Sequence, residues 1–504
     1  MPTQTQARVR TLFRKAKAAH SGWRNAATLP DEQLATLTAD EIVVLAHRLI
    51  LGTPPDDEVR TTQVARLESG AAVPADVLAE FVASPEFGQR MLGLRAFIRT
   101  AEPPPMDGLI DVLELSARKT VEQHNVAADA YFASRSPEAR EFMLVKPFAT
   151  PGEAAQLLTC FGHMIAALDA VRGMTVLDFG AGTGWTSWWF AQLGYRVIVS
   201  DVSVAALEIA RERFRRWPLS GDALEPQFLV FDGHRFDLPD ASVDRICCFD
   251  AFHHVINRGE LMAELGRVLK PGGVAGFDEP GRYNSRHPQA QFEMREFGVV
   301  EGDVDLDAMA AMAEKAGLTF AGADVVTIAP VWANRTEFTA MAETGVLSDE
   351  VQRILASYLR VKQLFMLRRE GQEILDSRRA AFVHAHLSLT KVMAVAQDAA
   401  VRVQLTIEIT NDGAAVWLPS DADFGPVRLG VRVLSPVPWE TRATVHPDLP
   451  RQPGTSQTVT AEFDVPQEFA EQELTICPIS EMVTWFDLTG TEPLRLRVAD
   501  HITQ

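Results

Sequence analysis

The sequence predicts an α/β protein built around a doubly wound, mostly parallel sheet, flanked by an all-α N-terminal domain and an all-β C-terminal sandwich. Three observations predict it. Between residues 150 and 330 short apolar runs alternate with helical patterns, and glycines stand at alternate positions after the first run, in Val176-Leu-Asp-Phe-Gly-Ala-Gly-Thr-Gly184. Before residue 100 the apolar residues recur with helical period, and after residue 398 they alternate singly, with the hairpin signal Asn411-Asp-Gly413. The expected domains are 1–100, 106–330 with a helical lid at its start, a helical extension over 331–398, and 399–504.

Composition narrows the function classes. A chain of 504 residues with a net charge of −19 repels a phosphate backbone, so nucleic acid is not an expected partner. No apolar run approaches the length of a membrane span. The four cysteines, Cys160, Cys247, Cys248 and Cys477, show no metal or disulfide spacing, which points to reduced thiols and a cytoplasmic location. The first thirty residues are basic and free of acids, with Val9, Leu12, Phe13, Ala16 and Trp23 at helical spacing. Such a helix either packs within its domain or lies on the anionic inner face of the membrane. Homo-oligomerisation stays open.

Ile42, Val43, Leu45, Ala46, Leu49 and Ile50, then Val77, Leu78, Phe81 and Val82, carry the helical period of the N-terminal region, and Ala101-Glu-Pro-Pro-Pro105 breaks it as a linker. Helices follow over 109–142 and 151–171. Tyr131-Phe132 and Lys146 between and within them stand either as a lid over a ligand or as ordinary helix packing.

Strands are expected at 175–179, 196–200, 227–231, 243–249 and 273–278. In an open sheet of this kind the ligand sits beyond the carboxyl ends of the strands. Polar residues fall at each of those ends: Asp178 with Gly180, Ala181, Gly182 and Gly184, then Asp201-Val202, Asp232-Gly233, Asp250-Ala251 and Asp278-Glu279. A dinucleotide site calls for a glycine or alanine where this chain has Trp185, and Asp178 before the glycines suits a cationic ligand. Asp201 has the spacing of an acid that binds ribose hydroxyls. Adenosine joined to a positively charged amino acid satisfies both, and S-adenosylmethionine is that molecule.

Together, "VLDFGAGTG", "VSDVS", "FDGHRFDLPDASVDRICCFDAFHHV" and "LKPGG" resemble the class I S-adenosylmethionine-dependent methyltransferases with their Rossmann-like sheet. The resemblance implies that Asp178 and the Gly180 to Gly184 loop face the methionine moiety and that Asp201 takes the ribose hydroxyls. It further implies that Val202 lines the adenine, that Asp232 accepts from the adenine amino group beside Gly233, and that Asp250 and Ala251 border the sulfonium.

Methyl transfer to a hydroxyl needs alignment and a place for the proton. His253, His254 or Glu279 is the expected base, unless alignment alone suffices. The loop after the fifth strand offers Arg282, Tyr283, Asn284, His287, Gln291 and Glu293 for a hydroxylated acceptor. No metal is expected, because His253, His254, His287 and Glu293 lack paired helical spacing.

The flanks suggest the acceptor. "LAHRLILGTPPD" with "LESGAAVPADVLAEFVASPEF" resembles a helical module accompanying bacterial surface-layer and glycan-related proteins. "ITNDG", "GPVRLGVRVL" and "WFD" resemble immunoglobulin-like sandwiches appended to glycan-modifying proteins, making Trp417, Trp439, Trp485 and Phe486 either sugar-stacking or core residues. The expected function is O-methylation of a glycan or glycan-linked acceptor in cell-surface polysaccharide assembly. The alternatives are a methyltransferase of a small metabolite or lipid, and a non-catalytic scaffold.

Overall fold

A computed structural model describes residues 38–50, 55–73, 76–77, 80–81, 108–221, 223–327, 331–434 and 437–502. The basic N-terminal segment, the 101–105 linker and much of the 1–100 region lie outside them. Within that region α1 (Ala39–Ile50) and α2 (Asp57–Glu68) are tied by Arg60 to Asp40 at 2.6 Å, and Val43, Ala72, Val77 and Phe81 form a small buried cluster.

Four helices precede the sheet: α3 (Val112–Ala117), α4 (Val121–Ala133), α5 (Pro137–Leu144) and α6 (Pro151–Leu168). Local chemistry sets their starts. Thr120 and Gln123 form a capping box on α4, while Ser136 and Thr150 cap α5 and α6 ahead of a proline.

The central sheet contains β1 (Thr175–Phe179), β2 (Arg196–Asp201), β3 (Gln227–Val230), β4 (Val243–Phe249), β5 (Leu269–Pro280), β6 (Leu318–Asp324) and β7 (Lys362–Arg369), in the order β3-β2-β1-β4-β5-β7-β6. The first five strands run parallel, and β7 is antiparallel to both β5 and β6. Helices α7 (Trp185–Gln192), α8 (Val204–Arg216), α9 (Arg258–Val268), α10 (Pro288–Phe297) and α11 (Leu306–Lys315) follow or join the strands, and α12 (Arg335–Thr344) and α13 (Asp349–Val361) lead into β7.

Alternation along the strands builds two cores. Leu177 and Phe179 face α9 and α11, through Leu261, Leu265 and Met309, whereas Val176, Val197 and Val199 face α6 to α8, through Phe161, Met164, Phe190 and Leu207. Each fully buried side chain of this size contributes about 1.5–3 kcal/mol.

The 331–398 segment is not the helical extension expected. It holds α12 and α13, but also β7 and β8 (Ala385–Ala396). The Lys362–Arg369 run is too apolar at its centre to be a solvated face: Leu364, Phe365 and Leu367 are buried, and Phe365 stacks on Phe277 with ring centroids 5.1 Å apart.

Beyond β8 come β9 (Ala400–Asn411), β10 (Val427–Val433), β11 (Trp439–Arg442), β12 (Thr444–His446), β13 (Ser456–Pro466), β14 (Glu473–Ser480), β15 (Thr484–Trp485) and β16 (Leu494–Arg497). They form two antiparallel sheets, β12-β13-β9-β8 and β11-β10-β14-β15 with β16 on β14, which share one core. Trp417 and Phe486 are buried in that core and edge-packed on each other, so neither is available to stack on a sugar. Trp439 stacks on Phe469, and Trp485 packs between Arg432 and Arg442.

These two sheets abut the amino ends of the central strands. Arg378 donates to the carbonyl of Gly173 at 2.6 Å, Arg196 at the start of β2 pairs with Asp423 at 2.5 Å, and Phe424 fills the space beside Gly173. The carboxyl ends of the strands lie at the opposite edge.

Candidate active site

A cavity of about 470 Å³ opens at those carboxyl ends. Its floor is the turn after β1. Gly180, Gly182 and Gly184 all have positive φ, of 64°, 53° and 68°. Their roles differ. A Cβ on Gly180 would come within 2.3 Å of Ala251, and one on Gly184 within 2.8 Å of Ala210, so these two permit packing. At Gly182 the nearest atom is Phe132 at 3.9 Å, across the cavity, so this glycine leaves room for a ligand.

Asp201 lines the cavity beside Val202, and its two oxygens accept from the backbone N–H groups of Gly182 at 2.8 Å and Ser203 at 2.9 Å. Burial pushes its carboxyl above the usual range. Ala181, Gly233, Asp250 and Ala251 also line the cavity.

Three expected contacts are corrected: Gly184 packs on Ala210 and does not line the cavity, and two acids turn away from it. Asp178 is fully buried and turned into the start of α7, where Thr186 donates to it at 2.6 Å and Ser187 donates as well; it is not among the lining residues. Asp232 is exposed and accepts from the backbone N–H groups of His234 and Arg235, capping the turn below the cavity instead of facing it.

The lid is built from α4 and α5. Tyr131, Phe132, Met143 and Lys146 line the cavity. Asp129 accepts from Ser203 Oγ at 2.9 Å and Ala205 N at 2.8 Å, fastening α4 to the start of α8. Arg213, buried on α8, donates to the carbonyls of Thr183, Lys146 and Met143 at 2.9, 2.9 and 3.0 Å, and so locks the glycine turn to the lid.

The far wall carries the expected bases. His253 and His254 occupy a short 3₁₀ turn after β4, and both line the cavity. His253 is buried, and its Nδ1 lies 2.7 Å from Glu279 Oε2. Glu279 itself does not face the cavity. Fully buried, it accepts from the backbone N–H groups of Ala251, Phe252 and His253 as well. Burial opposes its ionisation, but the His253 contacts and these amides hold its carboxyl below the usual range. Glu279 therefore fixes the His253 ring instead of facing the cavity as the expected base would. His254 Nδ1 is 2.7 Å from the carbonyl oxygen of Val300.

Of the polar loop, Asn284 and Glu293 reach the cavity. The other four do not. Arg282 pairs with Asp305, Tyr283 stacks under Arg286, and His287 caps α10. Gln291 is buried and clamps Ile110 to the Ser285 turn.

Glu301 and His124 escaped the sequence reading. Glu301 is buried on the far wall, with Oε2 3.5 Å from His253 Nε2 and Oε1 3.4 Å from His254 Nδ1; burial raises its carboxyl well above the usual range. His124 lines the same wall from α4. Neither lies in a motif, and only the path of the chain after α10 and the lid helix brings them here. Lys362 was also unforeseen: buried at the start of β7, it meets Asp250 at 3.0 Å and Asp278 at 2.6 Å. Burial opposes its charge, and the two carboxylates outweigh burial and raise its pKa.

Residues 177–277 match the family described as a methyltransferase domain. The chain contains a class I methyltransferase domain. Among curated relatives, it is 37% identical over 124 residues to "Methyltransferase GfsG" of Streptomyces halstedii, covering 24% of this chain and 42% of that protein. It is 36% identical over 141 residues to a dimethylglycine N-methyltransferase of Parasynechococcus marenigrum (strain WH8102), covering 26% and 48%, and 34% identical over 127 residues to a malonyl-[acyl-carrier protein] O-methyltransferase of Yersinia pestis, covering 25% and 43%. The chain thus spans less than half the length of each of these relatives.

S-adenosylmethionine is the cofactor of this methyltransferase class, and the cavity fits it. The space before Gly182 and the Asp201 carboxylate, held by two amides, are what a ribose and an amino-acid tail require. When bound, the cofactor supplies a methyl group on positively charged sulfur.

Proposed function

We propose that the protein methylates a hydroxyl of a small polar acceptor, a single sugar residue or a hydroxylated metabolite. One observation carries this reading: the cavity has two unlike walls, the Gly182–Asp201 wall suited to the donor and a far wall of His124, His253, His254, Asn284, Glu293 and Glu301. Six polar side chains facing one volume suit an acceptor that hydrogen-bonds at several points. In this reading Tyr131, Phe132 and Met143 close the volume to water. His253, with Nδ1 fixed on Glu279, turns Nε2 to the acceptor wall.

A long glycan is the weaker form of this proposal. It rests on the resemblance of the flanking segments, while the two antiparallel sheets that would hold a polymer adjoin the opposite edge of the central sheet. The test is incubation with isotopically labelled donor and a panel of monosaccharides, polyols, amines and lipids, with products identified by mass spectrometry. Label on a hydroxyl of a small polar acceptor is expected. Label confined to amines or to lipids overturns the proposal.

A further inference from the structure

His253, His254 and Glu301 come from the turn after β4 and the segment after α10, and they converge on the far wall. Each offers one ligand atom, and these atoms lie within 4.8 Å of one another. Metal bonds of about 2.1 Å place neighbouring ligand atoms roughly 3.0–3.5 Å apart. One separation already matches, Glu301 Oε2 to His253 Nε2 at 3.5 Å; His254 donates Nδ1 to the Val300 carbonyl at 2.7 Å, which leaves its Nε2 with a lone pair.

Surrounding contacts are those of a metal site. A ligating imidazole donates its other nitrogen to a carboxylate, which fixes the ring and its tautomer. Here Glu279, anchored by three amides, holds His253 Nδ1 and leaves Nε2 facing Glu301.

Glu301 has no Lys or Arg partner among the described residues; it shares a hydrogen bond with the Glu293 carboxyl. Glu279, equally buried, has contacts of 2.7 Å from His253 Nδ1 and 2.7 Å from Phe252 N. Beside its hydrogen bond with Glu293, Glu301 has Asn284 Nδ2 at 3.3 Å and the two imidazoles at 3.4 and 3.5 Å, these three at or past the end of the hydrogen-bond range. Its ion-pair partners among the described residues are those two histidines, which carry no charge when neutral. A second sign of a ligand stands nearby: His124 is 7% exposed, lines the cavity, and its Nδ1 has no hydrogen-bond partner among the described residues.

We infer that His253, His254 and Glu301 bind a divalent transition-metal cation, whose remaining positions take two adjacent oxygens of the acceptor. Two imidazoles and one carboxylate favour manganese, iron, cobalt, nickel or zinc over magnesium or calcium. Three protein ligands leave room for a bidentate molecule such as a vicinal diol or an α-hydroxy acid. The acceptor part of this inference rests on the function proposed above; the cation part does not.

Cobalt(II) is the probe, added to the full chain after chelation and dialysis and followed by calorimetry and visible absorption. One saturable site per chain is expected, with affinity reduced at least tenfold in Glu301→Gln and in the half-exposed His254→Ala, both verified as folded by circular dichroism. Absence of saturable binding to the folded protein, or an affinity in both variants equal to the parent's, overturns the inference. Because this readout involves no methyl transfer, cobalt binding without hydroxyl methylation would leave the site standing and remove only the functional reading.

Discussion

Glu279 Oε2 lies 2.7 Å from His253 Nδ1, and the same carboxylate gathers the amides of Ala251, Phe252 and His253. One buried side chain thus shapes the turn after β4 and sets the tautomer of its imidazole. Glu279→Gln presents an amide where a second acceptor oxygen stood, so either an amide N–H or the imidazole loses its partner. Turnover should fall about 10–100-fold, with the affinity for S-adenosylhomocysteine kept within a few-fold and the pH–rate profile displaced. A uniform loss of folded protein with an unchanged profile would reduce Glu279 to a structural role.

Asp201 bridges two amides while facing the cavity. Asp201→Ala removes both contacts and the carboxylate expected to take the ribose hydroxyls. The affinity for S-adenosylhomocysteine should drop roughly 10–100-fold by calorimetry, the scale of a lost hydrogen bond to a charged group. Undiminished affinity would mean that the nucleoside lies elsewhere.

Arg213 donates to three carbonyls, of which that of Met143 also accepts from Thr183 Oγ1 and Lys146 N. Arg213→Met keeps the packing but takes this donor from the Thr183 and Lys146 carbonyls, and stability should fall by about 2–4 kcal/mol in urea unfolding. Because two of the carbonyls belong to the lid, cofactor affinity should fall with it. A variant as stable as the parent would show that the lid is fastened mainly through Asp129.

Asp178 is raised to about 6, with burial the main cause and the Ser187 and Thr186 hydroxyls opposing it. Its folded pKa is above the ordinary 3.8, so the folded state holds the proton more tightly. Its contribution to stability is therefore full below pH 3.8 and is lost as pH rises to about 6, on the order of 3 kcal/mol. Asp178→Asn should gain stability relative to the parent across that window and stay level above it. Asp278 is also raised to about 6, again mainly by burial, so the slope should shrink and not vanish. Identical pH profiles for the two proteins would contradict the buried placement of Asp178.

Periodicity and turn chemistry made the first half of the sheet legible. The expected strands at 175–179 and 243–249 coincide with β1 and β4, because buried parallel strands are short apolar runs closed by glycine and acid. The same criterion failed at Lys362–Arg369, where Lys362, Arg368 and Arg369 hide a strand whose centre is buried. Charged residues at strand ends look like a solvated helix until Asp250 and Asp278 are seen around Lys362.

In the site, the sequence by itself determined the donor wall. Gly180, Gly182 and Asp201 line it through backbone conformation and strand-end position, both encoded locally, while Gly184 packs on Ala210. It also placed His253 and His254 at the right strand end. Only the tertiary structure decided that Asp178 and Asp232 turn away, that four of the six loop residues serve the fold, and that Glu301 and His124 complete the far wall. Side chains separated by up to 177 residues meet there because the lid helix and the segment after α10 close over the strand ends. No local pattern records such a meeting, since it depends on how whole elements pack.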